Sequence, residues 1–339
     1  MPSSPPLLRF LVTGATGFIG HRLVAALTAR HGAGAVTALV HPLRNARDER
    51  ALQVMQAGGV VLLECNLMEL PRLAPAVPAF DVVYHLAAFT ETETASDETR
   101  VNSDGTRYLL EWLGPALRGR RFIYTSTLAV VDPSPAHQLV TDAILPAPRT
   151  DYGRSNLLGE EAIRARQAEL GYNFTILRLC TIIGPGYRPG GMFARCPEML
   201  AANQLASRLN WPGRIAFLAV NDLVRLLVAV PSAPATDNDT FVLSNGENPT
   251  FDEVLGLMAQ ILGRPRRRVV LPGWFWRLVV AIAWPLAGWR VLPHAARIFC
   301  WRIAHIVRDG QSADATKLNL VFGPEYTSVR DALHEAYRD

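Results

Sequence analysis

Lysine is almost missing from this sequence. Of 34 basic residues, 33 are arginine and one is lysine, Lys317. Schiff-base chemistry and a phosphate-binding P-loop both depend on a lysine at the reacting group, so both are close to excluded. Cysteine is scarce as well. Cys65, Cys180, Cys196 and Cys300 form no C-x-x-C pair and no cluster with histidine. The usual zinc patterns are therefore absent, no metal is expected, and the thiols read as reduced and buried. A secretory signal is not expected either, because residues 1–10 have no charged stretch followed by an apolar one. The expected location is the cytoplasm, with peripheral contact at the inner face of a membrane as an open addition. The net charge of +4 is too small to indicate a nucleic-acid partner.

With 339 residues, 49% of them hydrophobic and 19% charged, the chain can bury one large core or two ordinary ones. Short apolar runs at 7–12, 36–40, 60–64, 82–86, 122–126 and 174–179 alternate with helical spacing at 21–30, 103–113 and 155–170. That alternation predicts a doubly wound α/β fold, a parallel sheet with helices on both faces. Past residue 185 proline and glycine recur and the spacing turns helical. The expected division is a nucleotide-binding Rossmann domain over 1–184, completed by part of 212–245. A small, mostly helical substrate domain is expected over 185–339.

The strongest local signal is Thr13-Gly14-Ala15-Thr16-Gly17-Phe18-Ile19-Gly20. It follows a predicted strand and opens a predicted helix. Three glycines at this spacing allow a tight turn, close approach of backbone to a pyrophosphate, and close helix–strand packing. The anion then sits at a helix N-terminus.

With that string the chain resembles the extended short-chain dehydrogenase/reductases. Further matching segments follow in order: Tyr84-His85-Leu86-Ala87-Ala88, Val101-Asn102-Ser103-Asp104-Gly105-Thr106, Phe122-Ile123-Tyr124-Thr125-Ser126-Thr127, Tyr152, the segment from Arg178 to Pro185, Val220-Asn221-Asp222 and Ser244-Asn245-Gly246. The likeness covers nearly the whole chain. It is nearest to the branch holding 3β-hydroxysteroid dehydrogenase-like proteins and sugar-nucleotide epimerases and dehydratases. It implies a nicotinamide cofactor held by Gly14, Thr16, Gly17, Phe18, Ile19 and Gly20. Beyond the loop it adds His41, Arg44, Asn66, Leu67, Leu86, Ala87, Ala88, Asn102, Thr125, Cys180, Thr181 and Ile182, with Tyr152 and Asn156 on the ribose side.

No acid stands at the end of the second strand, where a carboxylate would bind the ribose hydroxyls of NAD. His41, Arg44 and Arg47 stand there instead. NADP is favoured over NAD, although Arg44 and Arg47 suit a solvated loop equally well. Asn66 takes a place where relatives carry aspartate, and an amide can still hydrogen-bond adenine.

The resemblance makes Tyr152 the proton donor and gives the assisting hydroxyl to Thr127, or to its neighbour Ser126. The family places a lysine four residues after the tyrosine, on the same helix face. Here that position is Asn156, which can bond a ribose hydroxyl but adds no charge. A phenol ordinarily titrates near 10 and needs a nearby cation to act as a base at neutrality. Arg149, Arg178 or Arg188 would have to supply one from outside the helix. Three readings follow: a reductase using neutral Tyr152 as an acid, which is favoured; a cofactor-binding scaffold or sensor with little turnover; and a nucleotide-sugar epimerase or dehydratase.

Five of the seven tryptophans lie between Trp274 and Trp301, interspersed with arginines. The longest uncharged run there, 278–289, has 12 residues and contains Pro285, too short for a membrane span. This stretch suits a membrane interface, a dimer face or the packing of the substrate domain. In each case an apolar cover favours a lipophilic substrate, such as a sterol or isoprenoid.

Overall fold

The computed structural model describes residues 8–42, 46–73, 80–90, 99–131, 139–187, 193–289, 291–308, 312–323 and 325–338, without the side chains of 47, 294 and 298. The six apolar runs become β1 (Phe10–Thr13), β2 (Val36–Val40), β3 (Val61–Glu64), β4 (Val82–His85), β5 (Arg121–Thr127) and β6 (Asn173–Leu179), and the structure adds three strands that the sequence did not mark, β7 (Thr181–Ile183), β8 (Phe217–Ala219) and β9 (Asp239–Leu243). Among the described residues, seven strands form one parallel sheet in the order β3-β2-β1-β4-β5-β6-β9, and β7 pairs with β8 in a second. This is the doubly wound arrangement the strand–helix alternation predicts.

Side-chain alternation sends successive residues of each strand to opposite faces. Phe10, Val12, Val36, Ala38, Val82 and Tyr84 enter one core. Leu11, Leu39 and Val83 enter the other. Both faces are covered, so the strands read as unbroken apolar runs instead of alternating ones.

The helices are α1 (Gly20–His31), α2 (Ala46–Ala57), α3 (Thr106–Leu113), α4 (Asp151–Leu170), α5 (Cys196–Ala201), α6 (Leu205–Arg208), α7 (Val220–Ala229), α8 (Phe251–Ile261), α9 (Gly273–Gly288), α10 (His294–Val307), α11 (Thr316–Phe322) and α12 (Val329–Tyr337). Two expectations need correction. The helix expected over 103–113 opens as a π-helical turn, Val101–Gly105, and is α-helical only from Thr106. The helix expected from 155 starts at Asp151, because Thr150 caps it by accepting the Gly153 N–H at 3.0 Å. The earlier start places Tyr152 inside the first turn.

Helices α5, α8, α9, α10 and α12 gather with β7 and β8 around a third core that includes Phe193, Trp211, Phe217, Phe251, Met258, Trp276 and Leu333. Trp276 packs on Trp211 with ring centroids 4.9 Å apart. No helix among the described residues is long and apolar enough to cross a membrane.

Candidate active site

The glycine loop is shaped by contacts that leave no room for side chains. Gly14 has φ +63°, and a Cβ there would lie 2.7 Å from the Ala87 amide nitrogen. A Cβ at Gly20 would lie 2.1 Å from the Gly14 carbonyl oxygen. The turn closes through Gly17 N–H to Gly14 O at 3.0 Å. Helix α1 begins with neither an acidic residue in its first turn nor a side-chain cap. Bare backbone at the positive end of a helix fits a pyrophosphate. Gly14→Ala should therefore cost cofactor affinity at least roughly tenfold, since the left-handed backbone and the contact with Ala87 both resist a methyl group. Fluorescence titration with NADPH and a melting curve check this. Unchanged affinity would show that the loop is not the cofactor's seat.

Arg22, which the sequence reading missed, fastens this loop to the far side of the site. Its guanidinium donates to the Phe18 carbonyl at 2.8 Å and to the Pro185 carbonyl at 2.6 Å. It also lies over the Phe18 ring, 4.9 Å from the centroid. The segment at 184–186 is thus tied to the pyrophosphate turn.

Behind the loop runs a buried chain of hydrogen bonds through His85. The Ala87 N–H donates to Thr13 Oγ1 at 3.2 Å, and Thr13 Oγ1 meets His85 Nδ1 at 2.7 Å. On the other side, His85 Nε2 meets Thr106 Oγ1 at 2.9 Å. The single Thr106 hydroxyl proton goes to the Asn102 carbonyl at 2.7 Å. Thr106 must then accept from Nε2–H, which leaves Nδ1 to accept from Thr13. Burial pushes the His85 imidazole down to about 3, so this tautomer is neutral and fixed.

Two glycines let α4 approach the sheet. A Cβ at Gly153 would lie 2.3 Å from the Ala129 carbonyl, and one at Gly159 would lie 2.6 Å from the Asn102 carbonyl. Half-buried Tyr152 is thereby held beside the C-terminal end of β5, where Thr127 lies. Asn156 is fully buried beneath it. Its Nδ2 donates to the Tyr152 carbonyl at 2.9 Å, and its Oδ1 accepts from the Tyr124 hydroxyl at 3.1 Å. Burial, reinforced by the charge of Glu160, pushes the Tyr124 phenol far up, so Tyr124 stays a donor.

The two hydroxyls left open by the sequence differ in their partners. Ser126 donates to the Glu160 carboxylate at 2.6 Å. Thr127 Oγ1 accepts the Ala129 N–H at 3.2 Å, which leaves its own proton to donate.

Glu160 is a second residue that sequence reading missed. It lies fully buried and binds Arg178 through two hydrogen bonds, 3.0 Å from Nε and 2.8 Å from a terminal nitrogen. Arg164 approaches the same carboxylate at 3.2 Å. Burial alone would push the carboxyl up. The hydrogen bonds and charge of Arg178, with Ser126 and Arg164, outweigh it and hold Glu160 below the ordinary glutamate range. The spacing 152, 156, 160 marked all three as one helix stripe, and an acid on a buried stripe was the available signal.

Among the described residues, the cations near the site in sequence have places of their own. Arg178 serves Glu160. The Arg149 guanidinium lies 4.5 Å from the centroid of the Trp284 ring, and Arg154 pairs with Asp151 at 2.5 Å. Lys317 bonds Asp239 at 2.6 Å and the Thr240 carbonyl at 2.9 Å, at the start of β9 and away from the C-terminal strand ends. Arg188 lies outside the described residues.

Several expected cofactor residues carry structural bonds. Asn66 Oδ1 caps the short helical turn Leu67–Arg72 by accepting the Met68 N–H at 3.0 Å. Asn102 ties the loop after β4 to α4, donating to the Phe89 carbonyl at 2.9 Å and to Ser155 at 3.0 Å. Thr125 donates to the His85 carbonyl at 3.4 Å. Burial pushes the Cys180 thiol up, so it remains a neutral neighbour of Thr181 and Ile182 on β7. Leu86, Ala87 and Ala88 follow β4, above the glycine turn. Exposed His41 follows β2, and Arg44 lies outside the described residues.

A glycine loop over a parallel sheet, with a threonine at the end of β5 and a tyrosine in the first turn of α4, defines a nicotinamide-dinucleotide enzyme of the Rossmann class. The chain belongs to the NAD dependent epimerase/dehydratase family, whose profile matches residues 10–244. It is 27% identical over 337 residues to the sterol demethylase protein B of Methylococcus capsulatus, covering 96% of each chain. It is 29% identical over 270 residues to the ceramide reductase of Caulobacter vibrioides, covering 77% of this chain and 73% of that one. Among solved structures it resembles the UDP-glucuronic acid 4-epimerase of Bacillus cereus, with TM-score 0.74, 21% identity and coverage of 97% and 98%. That last likeness speaks for the fold alone.

Proposed function

We propose that this protein is an NADP-preferring oxidoreductase acting on a hydroxyl or ketone of a lipophilic small molecule, with reduction as its easier direction. The observation that carries this reading is the apolar α9–α10 hairpin. Its Trp284 lies against Arg149, three residues before Tyr152, and the Arg308 guanidinium also stacks on Trp284, 4.4 Å from its centroid. An aromatic, acid-free cover of this kind suits a sterol-like or long-chain substrate better than a sugar diphosphate. The two relatives whose names refer to a sterol and a ceramide support the same class. The absence of an acid after β2 favours NADP.

When bound, the nicotinamide exchanges the hydride. This chain's residues manage the proton and the carbonyl. Tyr152 is placed to donate a proton to the developing alkoxide. The Thr127 O–H is available to orient the carbonyl oxygen. Asn156 fixes the first turn of α4 through the Tyr152 carbonyl and adds no charge. Donation by neutral tyrosine needs no cation, whereas oxidation needs the tyrosinate.

The test is a titration with NADPH and NADH, then turnover on sterol, isoprenoid and long-chain ketones and alcohols beside UDP-sugars. Tighter NADPH binding and turnover of a lipophilic ketone are expected. UDP-sugar turnover alone would sink the proposal in favour of epimerase or dehydratase chemistry. Cofactor binding without any turnover would instead support the scaffold reading. In the same assay Asn156→Lys should move the rise of alcohol oxidation with pH, which tracks tyrosinate formation, down by about 1 to 3 pH units, the usual effect of an adjacent opposite charge. Ketone reduction should change much less.

A further inference from the structure

The charge of this chain is unevenly placed. Residues 254–308 contain nine arginines and no aspartate or glutamate. The rest of the chain carries 25 basic residues against 30 acidic ones. The acid-free segment is the one that forms α9 and α10, and these two helices pack on each other across the short link 289–293.

The hairpin has one anchored side. Trp276 and Ala283 are buried, and Trp276 belongs to the third core. The opposite side is exposed and apolar. Trp274, Leu278 and Ile282 recur every four residues along α9, which places them in one stripe. Trp274 is 66% exposed, Trp289 59%, Val291 86% and Phe299 64%. Trp289 and Val291 mark the tip, and Phe299 projects from α10. Exposed arginines lie on the same segment, Arg277 on α9, Arg302 on α10, and Arg264 and Arg267 on the loop that precedes α9. Arg266 and Arg268 belong to a separate arrangement, since both pair with Asp252.

We infer that the outer face of the α9–α10 hairpin is a docking surface for an anionic lipid bilayer, entered to interfacial depth by Trp274, Leu278, Ile282, Trp289 and Phe299 and held by the surrounding arginines. Tryptophan prefers the membrane–water interface, where its ring is apolar and its N–H stays wet. An amphipathic helix with arginines beside its apolar face lies in that plane, with the apolar face ~5–10 Å deep. Anionic headgroups supply the charge that this segment lacks. Helix α9 is too short to span, with 16 residues and Pro285 inside it. A second copy of the chain is a poor occupant, because a two-fold contact would set this acid-free, arginine-rich face against itself. Docked in this way, the inner face of the hairpin, through Trp284 and Arg149, would place the cover of the Tyr152 site at the lipid. The docking itself rests on exposure and charge, not on the substrate proposed above, so a protein that turns over no ketone would still bind vesicles.

Vesicle flotation tests it, with phosphatidylcholine alone and with phosphatidylcholine and phosphatidylglycerol at roughly 3:1. Wild-type protein should float with the anionic vesicles, stay down with the neutral ones, and be released by high salt. Arg264→Gln with Arg267→Gln, both at exposed positions, should weaken partition roughly 30-fold. Trp274→Ser with Phe299→Ser should do so at least as strongly. Both variants should keep NADPH affinity and melting temperature, which shows that the fold is retained. Three results would overturn the inference: wild-type protein that ignores both vesicles, variants that float like wild type, or a detergent-free dimer that the Trp274 and Phe299 substitutions split into monomers.

Discussion

Tyr152→Phe is expected to lower ketone turnover by roughly 10²- to 10⁴-fold, the usual contribution of a positioned general acid. NADPH affinity should change by no more than a few-fold. The substitution keeps the ring and its volume and removes only the hydroxyl. The positioning of the first turn is independent of that hydroxyl. It comes from the Thr150 cap, from the close contact of Gly153 with the Ala129 carbonyl, and from the bond of Asn156 to the Tyr152 carbonyl. A melting temperature equal to wild type and an unchanged cofactor titration would show that the site is intact. Single-turnover reduction with excess protein then isolates the chemical step. Full turnover by the phenylalanine variant would mean that another group donates the proton, and the assignment of Tyr152 would be withdrawn.

Arg178→Met should destabilise the fold by about 3–5 kcal/mol, because it leaves Glu160 buried without its main partner. For a chain of this length that corresponds to a fall in melting temperature of about 6 °C. Arg164, 38% exposed at its side chain and 3.2 Å from the carboxylate, offsets only part of the loss. The pH dependence carries a definite sign. In the wild type the Glu160 carboxyl is held below its ordinary value. Its stabilising contribution is present above the unfolded value and is lost as pH falls through the lowered folded value. In the variant, burial dominates and the carboxyl moves up. The variant's deficit therefore grows as pH rises from the ordinary glutamate value toward the raised folded one. The gap between the two proteins should be wider at pH 7.5 than at pH 4.5. Adding Glu160→Gln to Arg178→Met should recover most of the loss, since the uncompensated charge is gone. Melting curves at the two pH values decide the matter, and an equal gap at both would show that the cost is one of packing and not of charge.

Sequence alone determined the first six strands of the sheet, the glycine turn and the place of Tyr152 in chain order, whereas β9 emerged only in the structure. Local chemistry suffices for these. Apolar runs of strand length, alternating with helical spacing, fit strands covered on both faces, and Gly14 and Gly20 stand where a side chain would meet the Ala87 or Gly14 backbone. The loss of the family's lysine at Asn156 was equally legible, because it is a matter of residue type at a fixed spacing. Tertiary structure alone decided where the charges go. Arg178 and Arg149 were both candidates to stand in for that lysine. Only packing shows that Arg178 is spent on Glu160 and Arg149 on Trp284, partners 18 and 135 positions away. The neutral tautomer of His85 likewise depends on Thr13 and Thr106, which β1 and α3 bring to its two sides. Lys317, the lone lysine, was a question for the sequence, and its bond to Asp239 answers it. A residue's type is written in the chain, but the partner that fixes its charge and proton is set by long-range contacts, which no local pattern encodes.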